Sequence, residues 1–197
     1  MPATEKLMRE HGLIQRLMNV YQECADRLAV GEDLPDGLIL NAGALADEFI
    51  ESYHEEAEQK YVYPVFVEAG RMADLVAVMV RQHAIGRRLS EQTIYQAGQG
   101  EQAEPETRDS LMRTCWRYSR MYRAHVAFED SILFPELRDV VSGEEFWQIA
   151  SRIRAFEHET LGRGGLAQVG ERVAEIEALL GLEGLDSFTP VRRERAE

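Results

Sequence analysis

Apolar residues recur every three or four positions along almost the whole chain, and this periodicity limits the possible folds more than any other feature. It is the spacing of α-helices that each bury one face. Convincing runs that alternate apolar and polar residues, as half-buried strands do, are absent from the sequence. The pattern predicts an all-α protein.

Four long stretches each carry a single apolar stripe. The first covers about residues 4–28, and the second follows the break VGEDLPDG, opens near Pro35 and ends or kinks at Pro64. The third begins after EAGRMAD and continues to about Tyr95, and the fourth opens at Pro105. Long amphipathic helices with short connections are typical of an antiparallel up-down-up-down four-helix bundle.

The C-terminal part of the chain predicts additional helices. SGEE, starting at Ser142, is a capping box, in which the serine hydroxyl and the Glu145 carboxylate each accept a hydrogen bond from a free amide. That helix should stop at GRGG, after Leu161, and a last helix should cover about residues 166–180.

The chain of 197 residues is long enough for one domain with a proper core. We expect residues 1–138 to form the bundle, residues 139–182 to pack on it within the same domain, and the polar segment 183–197 to be a flexible tail. Cys24 and Cys115 both lie in helical apolar patterns. They should be reduced core thiols, with a buried disulfide as the alternative.

Charge and hydropathy exclude several classes of partner. The formal net charge of -13 repels phosphate backbones and anionic lipids, so we expect neither a nucleic acid nor a membrane as partner. No stretch approaches the roughly 20 apolar residues that cross a bilayer, and no secretion signal is evident. We expect a soluble, cytoplasmic protein.

One constellation of residues occurs twice. His54 and Glu58 are followed by a proline, and His125 and Glu129 are followed by a proline at the same spacing. Residues four apart lie one turn above each other on a helix, so each His-Glu pair forms a two-ligand claw. Chance repetition is improbable, because proline fills only 6 of 197 positions.

Two lone histidines complete the set, His11 on the stripe of the first helix and His83 on that of the third. Either one alone would more often be a hydrogen-bonded core residue. With the claws, however, four helices deliver four imidazoles and two carboxylates, whose joint burial is costly unless a positive charge lies among them. Each half of the chain thus contributes a lone histidine and a claw to a predicted metal centre.

The types of ligand indicate which metal would bind. Imidazole and carboxylate without thiolate suit iron or manganese, and carboxylates from facing helices can bridge two ions about 3.5 to 4 Å apart. Zinc normally occupies a single four-ligand tetrahedral site. The residues predict two iron ions, with manganese or zinc as alternatives.

The order of these motifs resembles the hemerythrin-like, or HHE, cation-binding family. The matching segments are REHGLI, HEEAEQKYVYP, MVRQHAIGRRL and HVAFEDSILFP, within about residues 4–138. The resemblance implies an up-down-up-down bundle with a non-haem di-iron centre bridged by Glu58 and Glu129. It also implies four terminal ligands, namely His11, His54, His83 and His125.

The sequence departs from the oxygen-carrying hemerythrins on the third helix. Those proteins have two histidines one turn apart there, but Arg87 stands one turn after the lone histidine of this chain. Glu55 is a further ligand candidate if the helix is locally distorted. His158, the remaining histidine, is the other further ligand candidate, although we expect it at the surface.

With one histidine on the third helix, both irons would keep exchangeable positions. We expect a di-iron protein that binds, senses or reacts with dioxygen or a related diatomic or peroxide ligand, rather than a bulk oxygen carrier or an enzyme. One alternative is a di-iron enzyme of oxidative or nitrosative stress, which reduces peroxide or nitric oxide or serves iron-sulfur cluster repair. Another is an iron-responsive interaction module with an unidentified protein partner.

Overall fold

Helices make up nearly all of the described part of the chain, residues 3–99 and 104–182, and no strand occurs in it. This computed structural model confirms the predicted all-α class; the tail predicted at 183–197 lies outside the described residues. Two segments, π1 and π2, are π-helical, with hydrogen bonds between residues five apart. In chain order the elements are α1 (Ala3–Ala29), α2 (Leu38–Leu45), π1 (Ala46–His54), α3 (Glu55–Tyr61), α4 (Tyr63–Glu68), α5 (Ala73–Gly98), α6 (Pro105–Phe128), π2 (Glu129–Leu133), α7 (Phe134–Val140), α8 (Gly143–Leu161) and α9 (Gly165–Leu179).

Four helical units form the bundle. The first is α1, the second runs from α2 through π1 and α3, the third is α5, and the fourth runs from α6 through π2. α1 packs against α6, α6 against α5, α5 against α2, and the second unit packs against α1 again. Neighbours in sequence are neighbours in space, which confirms the predicted up-down-up-down arrangement.

The start of α8 agrees with the prediction, whereas the start of the second unit does not. Ser142 and Glu145 form the predicted capping box. The expectation that Pro35 lies in the first turn of a helix is wrong, because α2 begins only at Leu38. Gly37 precedes it with φ 71°, a left-handed conformation that glycine adopts without strain, and it separates the proline from the helix.

Both repeated prolines lie in the first turn of a short helix. Pro64 follows the end of α3 and belongs to α4, and Pro135 has the same place in α7. Proline suits this position because it lacks the amide donor that an inner turn would use. The second unit therefore breaks at Pro64, as predicted, and at Pro135 the π-helical segment gives way to α7.

Two apolar clusters fill the bundle, one on either side of a polar layer. One cluster includes Ile14 and Tyr21, and the other includes Leu7 and Phe66. On α1, His11 lies between Leu7 of one cluster and Ile14 of the other. The layer of polar side chains therefore crosses the middle of the bundle.

The additional C-terminal helices cover one side of the bundle. α8 contacts α1, π1 and α3, and α9 contacts α1 and α2. Ile153 of α8 and Val173 of α9 are fully buried in these contacts.

Cys24 and Cys115 are buried thiols, as predicted. Among the described helices, none has both the length and the apolar character that crossing a membrane demands.

α5 and α6 approach each other closely at Gly86, three residues after His83. A Cβ atom added at Gly86 would lie 2.7 Å from the hydroxyl oxygen of Tyr122 and 2.9 Å from Cε of Met121. Glycine therefore allows this close approach, since any side chain here would force Tyr122 or Met121 to shift.

Candidate metal centre

Six buried side chains meet in the polar layer. Their ligand atoms form two groups, in each of which the atoms lie within 4.8 Å of one another. The first group contains the first pair of histidines, His11 and His54, and the second contains the second pair, His83 and His125. Both groups contain the same two carboxylates. The structure thus brings together all six residues that the sequence predicts as ligands, namely His11, His54, Glu58, His83, His125 and Glu129.

The two imidazoles of each pair face each other through their Nε2 atoms, which are 3.1 Å apart in both pairs. Two nitrogens about 2.1 Å from a common ion are about 3.0 Å apart at a right angle and about 3.4 Å apart at the tetrahedral angle. At the observed spacing, the two nitrogens of each pair are close enough to bind one ion.

Each carboxylate lies between the two pairs. Glu58 presents Oε1 to Nε2 of His54 at 3.4 Å and Oε2 to Nε2 of His83 at 3.5 Å. Oε2 of Glu129 lies 3.2 Å from Nε2 of His125 and 3.3 Å from Nε2 of the α1 histidine. This is the placement that a carboxylate bridge between two ions requires.

Several polar atoms of the centre lack a hydrogen-bond partner within the described residues. They are Oε1 of Glu58, Oε2 of Glu129 and Nδ1 of His83, and all three are buried. A buried acceptor without a partner costs about 1–3 kcal/mol, and more when it is charged. A cation between the carboxylates would remove that cost. The donor set of imidazole nitrogen and carboxylate oxygen fits iron or manganese.

A π-helical segment adjoins each claw. π1 ends at His54, and π2 begins at Glu129. A π-helix has a wider turn than an α-helix and is often found at functional sites. At the first claw both His54 and the adjacent Glu55 are buried, so two consecutive side chains face the interior.

Glu55 and His158, the two weaker candidates, belong to neither group. The carboxylate of Glu55 accepts hydrogen bonds from the Tyr122 hydroxyl and, at 2.9 Å, from Nε of Arg87. Burial raises the pKa of Glu55 to about 7, although both partners act in the opposite direction. Arg87 thus pairs with a buried acid at the position where the oxygen carriers have a histidine. His158 is exposed on α8.

Carboxylates support the outer nitrogens of the first pair. Nδ1 of His11 lies 2.7 Å from Oδ1 of Asp130, and Nδ1 of His54 lies 2.8 Å from Oε2 of Glu10. With the proton on Nδ1, each ring donates to its carboxylate and leaves Nε2 free to bind a metal. The second pair differs. Nδ1 of His125 lies 2.9 Å from the side-chain oxygen of Gln82.

Burial and the charges around the polar layer shift the pKa values of its side chains. Burial opposes protonation of His11, but Asp130 and Glu129 outweigh it and raise the pKa of His11 to about 9. Burial lowers the pKa of His83 well below its ordinary value. Burial and the nearby charge of Glu129 raise the pKa of Glu58. In the absence of metal, protons on His11 and Glu58 would supply part of the missing positive charge.

Tyr63 also reaches into the centre, although the sequence did not single it out. Its hydroxyl donates to Oε1 of Glu129 at 2.5 Å and lies 3.3 Å from both Oε2 of Glu58 and Nε2 of His83. The side chain is 2% exposed. One phenol therefore contacts both carboxylates and one histidine.

The two halves place an aromatic ring at the same point. Tyr63 stacks on His83 with ring centroids 5.6 Å apart, and Phe134 stacks on His11 with centroids 5.4 Å apart. Each ring stands immediately before a repeated proline, five residues after the claw glutamate. That position was the sequence signal that could have identified Tyr63.

Comparison with known proteins agrees with the geometry. The hemerythrin HHE cation binding domain matches residues 3–137. An uncharacterized protein of Mycobacterium tuberculosis and one of Mycobacterium bovis are each 36% identical over 188 residues, which are 95% of this chain and 74% of each relative. No solved structure matches the chain significantly. Its sequence and its fold together show that the chain belongs to the hemerythrin HHE cation-binding domain family.

Proposed function

We propose that this protein holds two iron ions, bridged by Glu58 and Glu129, and that the centre binds, senses or reacts with dioxygen or a related small molecule. The observation that carries the proposal is the sharing of both carboxylates between two histidine pairs. A single ion would need only one pair. Two ions would use all six side chains of the two groups.

The types of ligand support iron over zinc. In both pairs the Nε2 atoms are 3.1 Å apart, which is close enough for both to bind one ion. Two histidines and a carboxylate are also a common ligand set of non-haem iron sites that keep coordination positions open for other ligands. Manganese accepts the same donors and is the nearest alternative.

The layer would leave room for a small ligand at each ion. Each pair supplies two imidazoles beside the shared carboxylates, which is fewer donors than an octahedral ion takes. Apolar clusters on both sides of the layer exclude large and charged molecules. Bound iron would supply the redox chemistry, while the protein would orient the small molecule and exclude water.

A second candidate, the enzymatic reduction of peroxide, is favoured by Tyr63. Reductive cleavage of an O–O bond consumes protons, and a buried acid within hydrogen-bond reach of the reacting atoms accelerates such a step. The Tyr63 hydroxyl donates a hydrogen bond to Glu129 and lies in the polar layer beside Glu58. It is a suitable donor for a small molecule bound between the pairs.

Metal analysis and absorption spectroscopy of protein purified from iron-replete cells test the proposal. We expect two irons per chain and an absorption band in air that the metal-free protein lacks. Reversal of that band under vacuum would favour dioxygen binding, and continuous consumption of peroxide in the presence of an added electron donor would favour the enzyme. Zinc as the bound metal, or no transition metal at all, would overturn the proposal. His158→Ala is the matched control and should keep both irons.

A further inference from the structure

A basic cleft lies at the surface between the start of α1, the end of α8 and the start of α9. Its volume is about 400 Å³, and none of the six candidate ligands lines it. We call it the α8–α9 cleft. Its titratable side chains are Lys6, Arg9, Arg154, Glu157, His158 and Arg163.

The charge of the α8–α9 cleft is opposite to that of the molecule. The whole chain has 22 lysines and arginines against 35 acidic residues, whereas the cleft has four lysines and arginines against one glutamate. Basic side chains that converge on a concave surface concentrate positive potential and attract anions. The local excess is therefore a property of this site and not of the chain.

The floor of the cleft already binds one carboxylate. Glu157 accepts from Nζ of Lys6 at 2.6 Å and from the backbone amide of Leu166, in the first turn of α9, at 3.3 Å. A Cβ atom at Gly165 would lie 2.9 Å from Oε1 of Glu157, so this glycine allows the loop to approach the carboxylate. These contacts satisfy the buried Lys6.

The rim presents arginines from two sides. Arg154 comes from α8 and Arg163 from the loop between α8 and α9, and both are exposed. Within the described part of the chain, Arg163 has neither an ion pair nor a hydrogen bond. Guanidinium groups match the oxygens of phosphate in pairs, which favours phosphate over a simple halide.

We propose that the α8–α9 cleft binds a small soluble molecule that carries a phosphate group. Arg154 and Arg163 would contact the phosphate, and the exposed His158 would lie beside it. The net charge of -13 argues against an anionic membrane or a nucleic acid as the source of that group. The site requires no metal and is independent of the function proposed above.

Titration of the full metal-loaded chain with inorganic phosphate and with glycerol 3-phosphate tests this inference. Calorimetry at constant ionic strength should show saturable binding, and the backbone amide resonances of residues 162–167 should shift. Arg154→Ala and Arg163→Ala should each weaken binding about tenfold, as expected for the loss of a charge-assisted hydrogen bond. Because Arg163 is an exposed loop residue, its variant should remain folded.

Arg172→Ala is the matched control, since it removes the same charge from α9 at a place where Arg172 pairs with Glu48. It should leave phosphate binding unchanged. The inference is overturned if neither probe binds saturably, or if the control weakens binding as much as Arg163→Ala. A change in the iron absorption spectrum without shifts at residues 162–167 would also overturn it, because phosphate would then be at the metal.

Discussion

The two histidine pairs have the same spacing but different support. Both imidazoles of the first pair contact a carboxylate through Nδ1, Asp130 in one case and Glu10 in the other. In the second pair, one imidazole contacts the neutral amide of Gln82, and Nδ1 of His83 has no partner among the described residues. A carboxylate behind an imidazole makes it a stronger ligand. Identical ligands can thus form two unequal sites, and we expect the first pair to hold its ion more tightly.

The aromatic rings on the two pairs also differ. Phe134 stacks on His11 and offers no polar atom, whereas Tyr63 stacks on His83 and adds a hydroxyl that reaches both carboxylates. The second pair, which has the weaker support at its Nδ1 atoms, is therefore the pair with a proton donor beside it. A small molecule is expected to react at the second pair.

Removal of a shared carboxylate should have the largest effect, because both histidine pairs then lose a ligand and the difference between the two sites is lost. In Glu129→Ala, iron should fall from two ions per chain to one or none, and the midpoint of thermal unfolding should drop by about 10 °C. Metal analysis and calorimetry measure these changes. His54→Ala should act in the same direction and His158→Ala should change neither quantity. Two irons in Glu129→Ala would contradict the bridging role.

Replacement of the side chains that contact the Nδ1 atoms should increase or decrease the difference in metal affinity between the two pairs. Glu10→Gln removes the charge behind His54 with little change of shape, and it should weaken the tighter site about 10- to 100-fold. Gln82→Glu places a charge behind His125 and should strengthen the weaker site. Competition with a chelator measures both affinities. If Glu10→Gln left the two affinities as they are in the wild type, outer support would not be the cause of the inequality.

The release of a proton on metal binding should distinguish the first histidine pair from the second. His11, with its pKa raised to about 9, is protonated at pH 7 in the metal-free chain and must lose that proton to bind an ion. Metal affinity should therefore rise up to about tenfold per unit between pH 7 and 9 through this group. Calorimetry in buffers of different ionisation enthalpy measures the released protons. Asp130→Asn lowers the pKa of His11 and should flatten this dependence.

The same residue should affect the stability of the metal-free chain in the opposite direction. Its pKa in the folded protein is above the ordinary value of about 6.5, so its stabilising contribution is complete below that pH and is lost as the pH rises through about 9. Thermal unfolding of metal-free protein between pH 6 and 9 tests this. A midpoint that is as high at pH 9 as at pH 6 would be inconsistent with a charged His11.

Tyr63→Phe should have the smallest effect on metal content. The ring remains stacked on His83, so both irons should stay bound, while reaction with peroxide or dioxygen should slow about fivefold through loss of one hydrogen bond. Stopped-flow absorption measures the rate. Tyr61→Phe, outside the layer, is the control. Equal rates in Tyr63→Phe and the wild type would exclude the phenol from the chemistry.

Much of the fold could be predicted from residues whose effect is local. Pro64 and the capping box at Ser142 each specify backbone hydrogen bonds within a few residues, and the structure agrees at both. Pro35 was misleading because the left-handed turn at Gly37, and not the proline, determines where α2 begins. The π-helical segments could not be predicted, since their wider turns depend on packing between helices.

The candidate ligands were found because helical spacing and order along the chain are visible in a sequence. Tyr63 was not found, because its contacts depend on the break between α3 and α4, which turns the residue before Pro64 toward another helix. The support from Glu10 and Asp130 was missed for a related reason. Glu10 lies next to His11 in sequence but contacts His54, and Asp130 lies next to Glu129 but contacts His11 on another helix.

The absent side chain at Gly86 determines how wide the bundle can be at the height of the histidines. A methyl group there would overlap Tyr122, whose hydroxyl donates a hydrogen bond to Glu55 next to the first claw. An alanine at this position would force Tyr122 and Met121 of α6 to shift. A single hydrogen atom in place of a methyl group thus allows the close approach of two helices that carry candidate ligands.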